Sequence, residues 1–160
     1  MIEIVRERKL DVAPNHVWDL IEPVERIPEW FAGVETAQLL AGRGLGRKQR
    51  VGGRWGRQRF QIDQTVIHYE PGRRLVWRHD LEQLDGKPAP TISRETEFAI
   101  ELRDLAPGTL VQLTSRQLPD TWLKGLLVRL IAAPAIARMM ERSLANIGER
   151  LAPAGGSRAG

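Results

Sequence analysis

Tyr69-Glu70-Pro71-Gly72-Arg73-Arg74-Leu75-Val76-Trp77 reads as strand, tight turn, strand. Pro-Gly breaks the chain, and the runs on either side carry the two-residue alternation of a half-buried strand. Upstream, Phe60, Ile62, Gln64 and Val66 share one face, while Arg57, Arg59, Gln61 and Asp63 share the other. Downstream, Leu75, Trp77 and His79 fall together, then Arg94, Thr96, Phe98, Ile100 and Leu102, then Val111, Leu113 and Ser115. Turn signals at Gly42–Gly46, Gly52-Gly53, Pro71-Gly72, Asp85–Pro88 and Pro107-Gly108 divide the text into strands expected at 35–41, 47–55, 57–69, 73–80, 92–104 and 109–118. With an opening strand over Ile2–Val12 there are seven. One wet face and one dry face describe an antiparallel meander covered on one side.

The cover is expected from the C-terminus. Leu123, Leu127, Leu130, Ala137, Met140, Leu144 and Ile147 recur at spacings of three and four, which predicts a helix from a cap at Asp120 to Leu151. Pro134 should bend it. Between the first strand and the meander, Pro14 opens a short helix carrying Val17, Leu20 and Ile21, and a second helical turn over Val24–Trp30 is interrupted by Pro28. Residues 1–151 read as one domain and 152–160, rich in Gly, Ala and Pro, as a disordered tail.

Composition narrows the classes. With 160 residues at 42% hydrophobic content, the chain can bury a core, and the absence of cysteine removes disulfides, thiolate metal sites and thiol nucleophiles. Charges in Met1–Glu7 stand where a secretory signal needs apolar residues, so a cytoplasmic location is the expectation. The formal net charge is +4. Between Glu35 and Asp63 lie Arg43, Arg47, Lys48, Arg50, Arg54, Arg57 and Arg59 with no acid, so the excess is concentrated in 43–59. That segment admits three readings: sheet exterior, attraction of an anionic ligand or membrane surface, or RNA contact with Trp55 as a stacking ring. DNA is not an expected partner.

Strand, two short helices, meander and long helix, taken with particular residues, resemble a known superfamily. The residues are Val17-Trp18-Asp19-Leu20-Ile21, Val24-Glu25-Arg26-Ile27-Pro28-Glu29-Trp30, the opening stretch Tyr69–Trp77, Gly108-Thr109-Leu110-Val111 and Met140-Glu141-Arg142-Ser143-Leu144-Ala145-Asn146-Ile147. The chain is similar to the START/Bet v 1-like (SRPBCC) group, nearest its bacterial polyketide cyclase/dehydrase and lipid-transport branch. The resemblance implies an α+β helix-grip fold: a curved, seven-stranded antiparallel sheet around the C-terminal helix, with a cavity between them. It fixes no function, because the fold hosts binders, cyclases and chaperone-like proteins.

Catalytic constellations are sparse. His16, His68 and His79 match no metal spacing, Gly42, Gly44 and Gly46 lack a strand–turn–helix setting, and neither a metal nor another cofactor is expected. His79 follows Trp77 on the inner face, where an imidazole could exchange a proton with a phenolic or carbonyl ligand, or merely sit in water at a strand end. Arg94 and Tyr69 are the other catalytic candidates. Gln64 and Arg94 interrupt apolar faces; buried, each needs a partner, and a ligand oxygen is one candidate, with a bulge turning either outward as the alternative. On the resemblance, Trp30, Phe60, Trp77 and Phe98 form cavity wall or entrance, and Ile62, Leu127 and Leu130 complete the expected lining. The expected function is binding of a small hydrophobic ligand (lipid, isoprenoid or polyketide-like) as carrier or sensor. A polyketide cyclase, aromatase or dehydratase is the alternative, and an interaction protein using the basic 43–59 face the second. The oligomeric state is left open by the sequence.

Overall fold

A computed structural model describes residues 1–90 and 92–152. Eight strands, β1 (Ile2–Leu10), β2 (Val34–Ala41), β3 (Lys48–Trp55), β4 (Gln58–Glu70), β5 (Arg74–Leu84), β6 (Lys87–Pro88), β7 (Ser93–Asp104) and β8 (Thr109–Pro119), form one antiparallel sheet ordered β1-β8-β7-β5-β4-β3-β2, with the short β6 paired to β5. β2 to β8 are the expected meander, and β1 closes against β8. β5 runs four residues beyond the expected end at 80. Asp85 and Gly86 both have positive φ (51° and 78°), and this two-residue turn carries the ladder on as Leu84↔Lys87 and Gln83↔Pro88. Such a turn matches the twist of a hairpin, so the strands stay paired up to it.

The linker after β1 forms α1 (Pro14–Ile21), a single 3-10 turn (Val24–Arg26) and α2 (Ile27–Trp30). α1 buries Val17, Leu20 and Ile21. Pro28 lies in the first turn of α2 and so begins that helix rather than interrupting it; proline there gives up a donor that has no partner anyway. The tail read over 152–160 lies, from 153 on, outside the described residues.

Gly52-Gly53 is not a turn. Both glycines sit inside β3, and β2 is bulged opposite them, between Val34 and Thr36. A Cβ at Gly53 would run into the carbonyl oxygen of Gly33 and meet the Phe60 ring at 2.9 Å. The missing side chain is what lets the α2–β2 turn lie on the sheet. Gly53→Ala is expected to cost about 3 kcal/mol in urea unfolding, because two backbones must separate to admit one methyl group. An unchanged midpoint would show that this approach is loose.

The long C-terminal helix is present from Trp122 to Leu151, and it departs from expectation in its cap and in the phase of its first half. It is built of α3 (Trp122–Leu127), a π-helical turn (Val128–Ala132) and α4 (Ala133–Leu151), which follow one another without a break. The cap is Thr121, whose Oγ1 accepts from the Lys124 backbone N–H at 3.2 Å; Asp120 instead pairs with Lys124 Nζ. Ala137, Met140, Leu144 and Ile147 are buried against the sheet as the spacing predicts, but Leu123, Leu127 and Leu130 are exposed, and Val128 is the buried member of the first half. Pro134 offers no N–H to the carbonyl four residues before it, and the wider turn just ahead of it accommodates the loss. Its extra residue rotates everything upstream, so the periodicity is right for α4 and out of phase for α3.

Candidate functional site

The inner face of the sheet carries a row of polar side chains. In register across adjacent strands, Gln49 lies opposite Gln64, Gln64 opposite His79, and Thr96 opposite Gln117. His79 and Thr96 each lie two residues from the Trp77↔Phe98 pair, just past Arg78↔Glu97 where the β5–β7 ladder ends. Gln49, Gln64 and Gln117 are buried. Gln49 Nε2 donates to Gln64 Oε1 at 2.8 Å, and Thr96 Oγ1 donates to Gln117 Oε1 at 3.0 Å. Gln117 Nε2 reaches Ser115 Oγ at 3.3 Å. Burying amides costs free energy unless they are paired, and these side chains pair with one another across and along the strands.

Beside the row lies an aromatic cluster. Trp77 stacks on Phe98, with centroids 6.2 Å apart and an interplanar angle of 15°. Phe31 meets Trp30, Trp77 and Phe98 edge-on. α4 fixes Phe31 from behind: Ser143 Oγ accepts from the Ala32 N–H, and Asn146 Nδ2 donates to the Trp30 carbonyl. The Trp30 Nε1–H is buried without a partner among the described residues.

His79 joins the two halves. Its ring stacks on Phe98 at 5.8 Å, and Nδ1 lies 2.6 Å from Glu82 Oε1. A carboxylate can only accept, so Nδ1 carries the proton, and in the neutral ring Nε2 keeps its lone pair. Nε2 makes no hydrogen bond among the described residues. The hydrogen bond from His79 holds the Glu82 carboxyl below the usual carboxylate range, against the opposing effect of burial. Because the folded value is lowered, the stability Glu82 contributes is complete above the unfolded carboxylate pKa of about 4.3 and is lost as pH falls through the folded value. Glu82→Gln is therefore expected to flatten the acid limb of a plot of melting temperature against pH; an unaltered limb would deny the link.

At the β3 end the row is anchored by a residue that composition concealed. Arg47 is 3% exposed. Its Nε donates to Gln49 Oε1 at 3.0 Å, and its Nη1 to the Glu22 carbonyl at 2.8 Å and Glu22 Oε1 at 3.0 Å, leaving Nη2 buried and unpartnered among the described residues. Burial lowers the Arg47 pKa while Glu22 opposes that shift. Tyr69 donates to the same carboxylate at 3.4 Å and lies edge-on to Trp18; burial raises its pKa.

The structure thus gathers Gln64, Trp77, His79, Phe98 and Trp30 around one region and leaves others aside. Phe60 lines an open hollow of about 320 Å³ with Glu35, Arg54 and Asp85. Ile62 packs with Val24, Ile27 and Val51 in a second cluster that Phe31 joins to the main core. Arg94 sits at a register shift between Ser93 and Glu95 and is exposed, the outward turn that a bulge produces. Leu127 and Leu130 also face outward. Phe31, Gln49, Arg47, Glu22 and Glu82 went unread. Strand parity was the available signal for two of them, since Arg47 and Gln49 alternate with Lys48 and Arg50 onto the Val51 face. In the basic segment, Arg50 pairs with Asp63 at 2.7 Å, while Arg43, Arg54, Arg57 and Arg59 are exposed. Among the described residues no three His, Asp or Glu side chains are grouped to hold a metal, and no helix is long and apolar enough to cross a membrane.

The family model described as polyketide cyclase/dehydrase and lipid transport matches residues 1–152. The chain belongs to that family. Solved structures agree on the fold of this polyketide cyclase/dehydrase and lipid-transport member. TTHA0849 from Thermus thermophilus superposes with a TM-score of 0.73 at 17% identity, over 93% of this chain and 96% of that one. Ara h 8.0201 gives 0.70 at 11%, over 93% and 96%. The di-domain ARO/CYC BexL from the BE-7585A biosynthetic pathway gives 0.74 at 13%, over 93% of this chain and 46% of its own. Identities this low establish the α+β, Bet v 1-like helix-grip fold and no activity. No curated protein matches the chain significantly.

Proposed function

We propose that the protein binds a small hydrophobic molecule carrying one or two oxygens, as a carrier or sensor. The molecule would lie along the aromatic cluster with its polar end at the row centred on His79. The observation supporting this reading is the row itself: paired amides, a hydroxyl and an imidazole crossing a core face, with the Nε2 lone pair of His79 turned to no protein group among the described residues. Flat rings suit a polycyclic or isoprenoid body, and a few fixed polar groups orient it. The family description, which covers both cyclisation and lipid transport, is consistent with a ligand of this class.

One observation favours catalysis as the second reading. A histidine oriented through Nδ1 by a carboxylate is the arrangement of a general base, and a polyketide-like chain held beside it could lose a proton to Nε2. The ARO/CYC protein BexL shares the fold.

The test is titration with a fluorescent apolar probe, read by tryptophan quenching, together with native mass spectrometry of the purified protein for a co-purified molecule. His79→Ala is expected to lower the melting temperature modestly, because the Glu82 hydrogen bond and the Phe98 stack go with it, and to weaken an oxygen-bearing ligand about tenfold, the cost of one lost hydrogen bond to that ligand. Wild-type protein that binds no probe and carries no ligand would end the reading.

A further inference from the structure

A helix on a protein surface normally turns its apolar side inward. The segment 122–131 does the reverse. Val128 is its one buried residue, while Trp122 is 82% exposed, Leu130 67% and Ile131 68%, and Leu123, Leu126 and Leu127 are also exposed. At about 100° per residue, Trp122, Leu126, Leu130, Leu123, Leu127 and Ile131 fill one arc of about 180° opposite Val128, with Arg129 at one border and Lys124 at the other. The cations therefore rim the apolar arc. From Asp120 to Met140 the chain carries Lys124, Arg129 and Arg138 against one acid, Asp120, which pairs with Lys124 Nζ at 3.2 Å. Beside α3 an open hollow of about 490 Å³ is lined by Met1, Ile2, Leu118, Pro119 and Trp122 with Asp120 and Arg129 at its polar side, and it extends the apolar surface onto the sheet end.

We propose that this arc is a membrane-docking surface that lies on an anionic lipid bilayer. An outward apolar arc of this size marks an interaction surface. Three features select a bilayer over a protein partner. The arc is convex and follows a single helix, which needs no shaped counterpart. Long basic side chains at both borders can lay their stems on the acyl boundary and keep their charges among phosphates. Asp120, the one acid here, is paired with Lys124, so Arg129 and Arg138 leave the surface with a cationic surplus toward an anionic headgroup layer. The occupant is thus a lipid surface, and the contact runs through α3 and the π turn rather than through the basic 43–59 face. This inference concerns a surface and stands apart from the ligand reading. A protein without any bound small molecule would still dock.

The experiment is flotation of the full chain with vesicles of phosphatidylcholine alone and with about 30% phosphatidylglycerol added, at about 0.1 M and about 0.5 M salt. The wild type is expected to float with the anionic vesicles and to release partly at high salt. Its Trp emission should shift to the blue, and that shift should vanish in Trp122→Phe. Leu126→Glu/Leu130→Glu alters only exposed side chains, so it should melt like the wild type and lose about 100-fold in partitioning. Lys124→Gln/Arg129→Gln should bind several-fold more weakly and with less salt dependence. The proposal is overturned if the Glu variant floats as well as the wild type. It is equally overturned if Arg54→Gln/Arg57→Gln/Arg59→Gln abolishes flotation while the helix variants do not. A third overturning result is a dimer by sedimentation velocity that buries Trp122 and shows no lipid binding.

Discussion

Trp77→Ala is expected to lower the unfolding free energy by about 4 kcal/mol, near the upper end for a buried aromatic. Trp77 is buried, stacked on Phe98 and met edge-on by Phe31, so its loss leaves a hole bounded by rings that cannot all close in. The hole adjoins His79 and should change probe affinity as well as stability. A two-arm measurement separates the outcomes. A drop in stability with unchanged probe affinity makes the aromatic cluster plain core, and a drop in both makes it core and ligand wall together. A cost below about 1 kcal/mol would show that the rings do not pack as tightly as their geometry indicates.

The second large effect is asymmetric. Glu22→Ala removes the carboxylate facing Arg47 and leaves a buried guanidinium, already short of a partner at Nη2, uncompensated; about 3 kcal/mol should be lost. Arg47→Met removes the buried charge itself and leaves Glu22, about a quarter exposed, able to reach water. It should cost clearly less, and the double replacement should be milder than Glu22→Ala alone. Denaturant midpoints of the three variants test this order, and equal costs for the two single changes would contradict it.

Alternation and turn chemistry carried most of the architecture. They placed the meander, its faces and the buried stripe of α4, because each of those depends on residues two or four apart. What went unread depends on longer-range facts. Arg47 sits in a basic run that composition assigned to the exterior, and its pairing with Glu22 at the end of α1, together with Gln49, makes an interior guanidinium tolerable. Phe31 follows a four-residue helix and shows no period; α4 decides where it points. His79 was legible as an inner-face residue, but its orientation comes from Glu82, three residues on, past a register shift in the β4–β5 ladder. Leu127 and Leu130 continued a sound period across a π turn, and one inserted residue, about 100° of rotation, carried them off the buried face.

The order of strands also bears on how the chain reaches this state. β1 pairs with β8, so Ile2 lies opposite Gln117, while every neighbour within β2–β5 comes from a local hairpin. Loop closure must precede the reward of the β1–β8 contact, and contacts so distant in sequence slow folding. During synthesis the first strand emerges long before its partner, and α1 and α2 have no α4 to pack against. The hairpins can form early and the β1–β8 pairing comes last. The half-built sheet meanwhile presents an unpaired β8 edge, which favours association between nascent chains until the N-terminus returns to cover it.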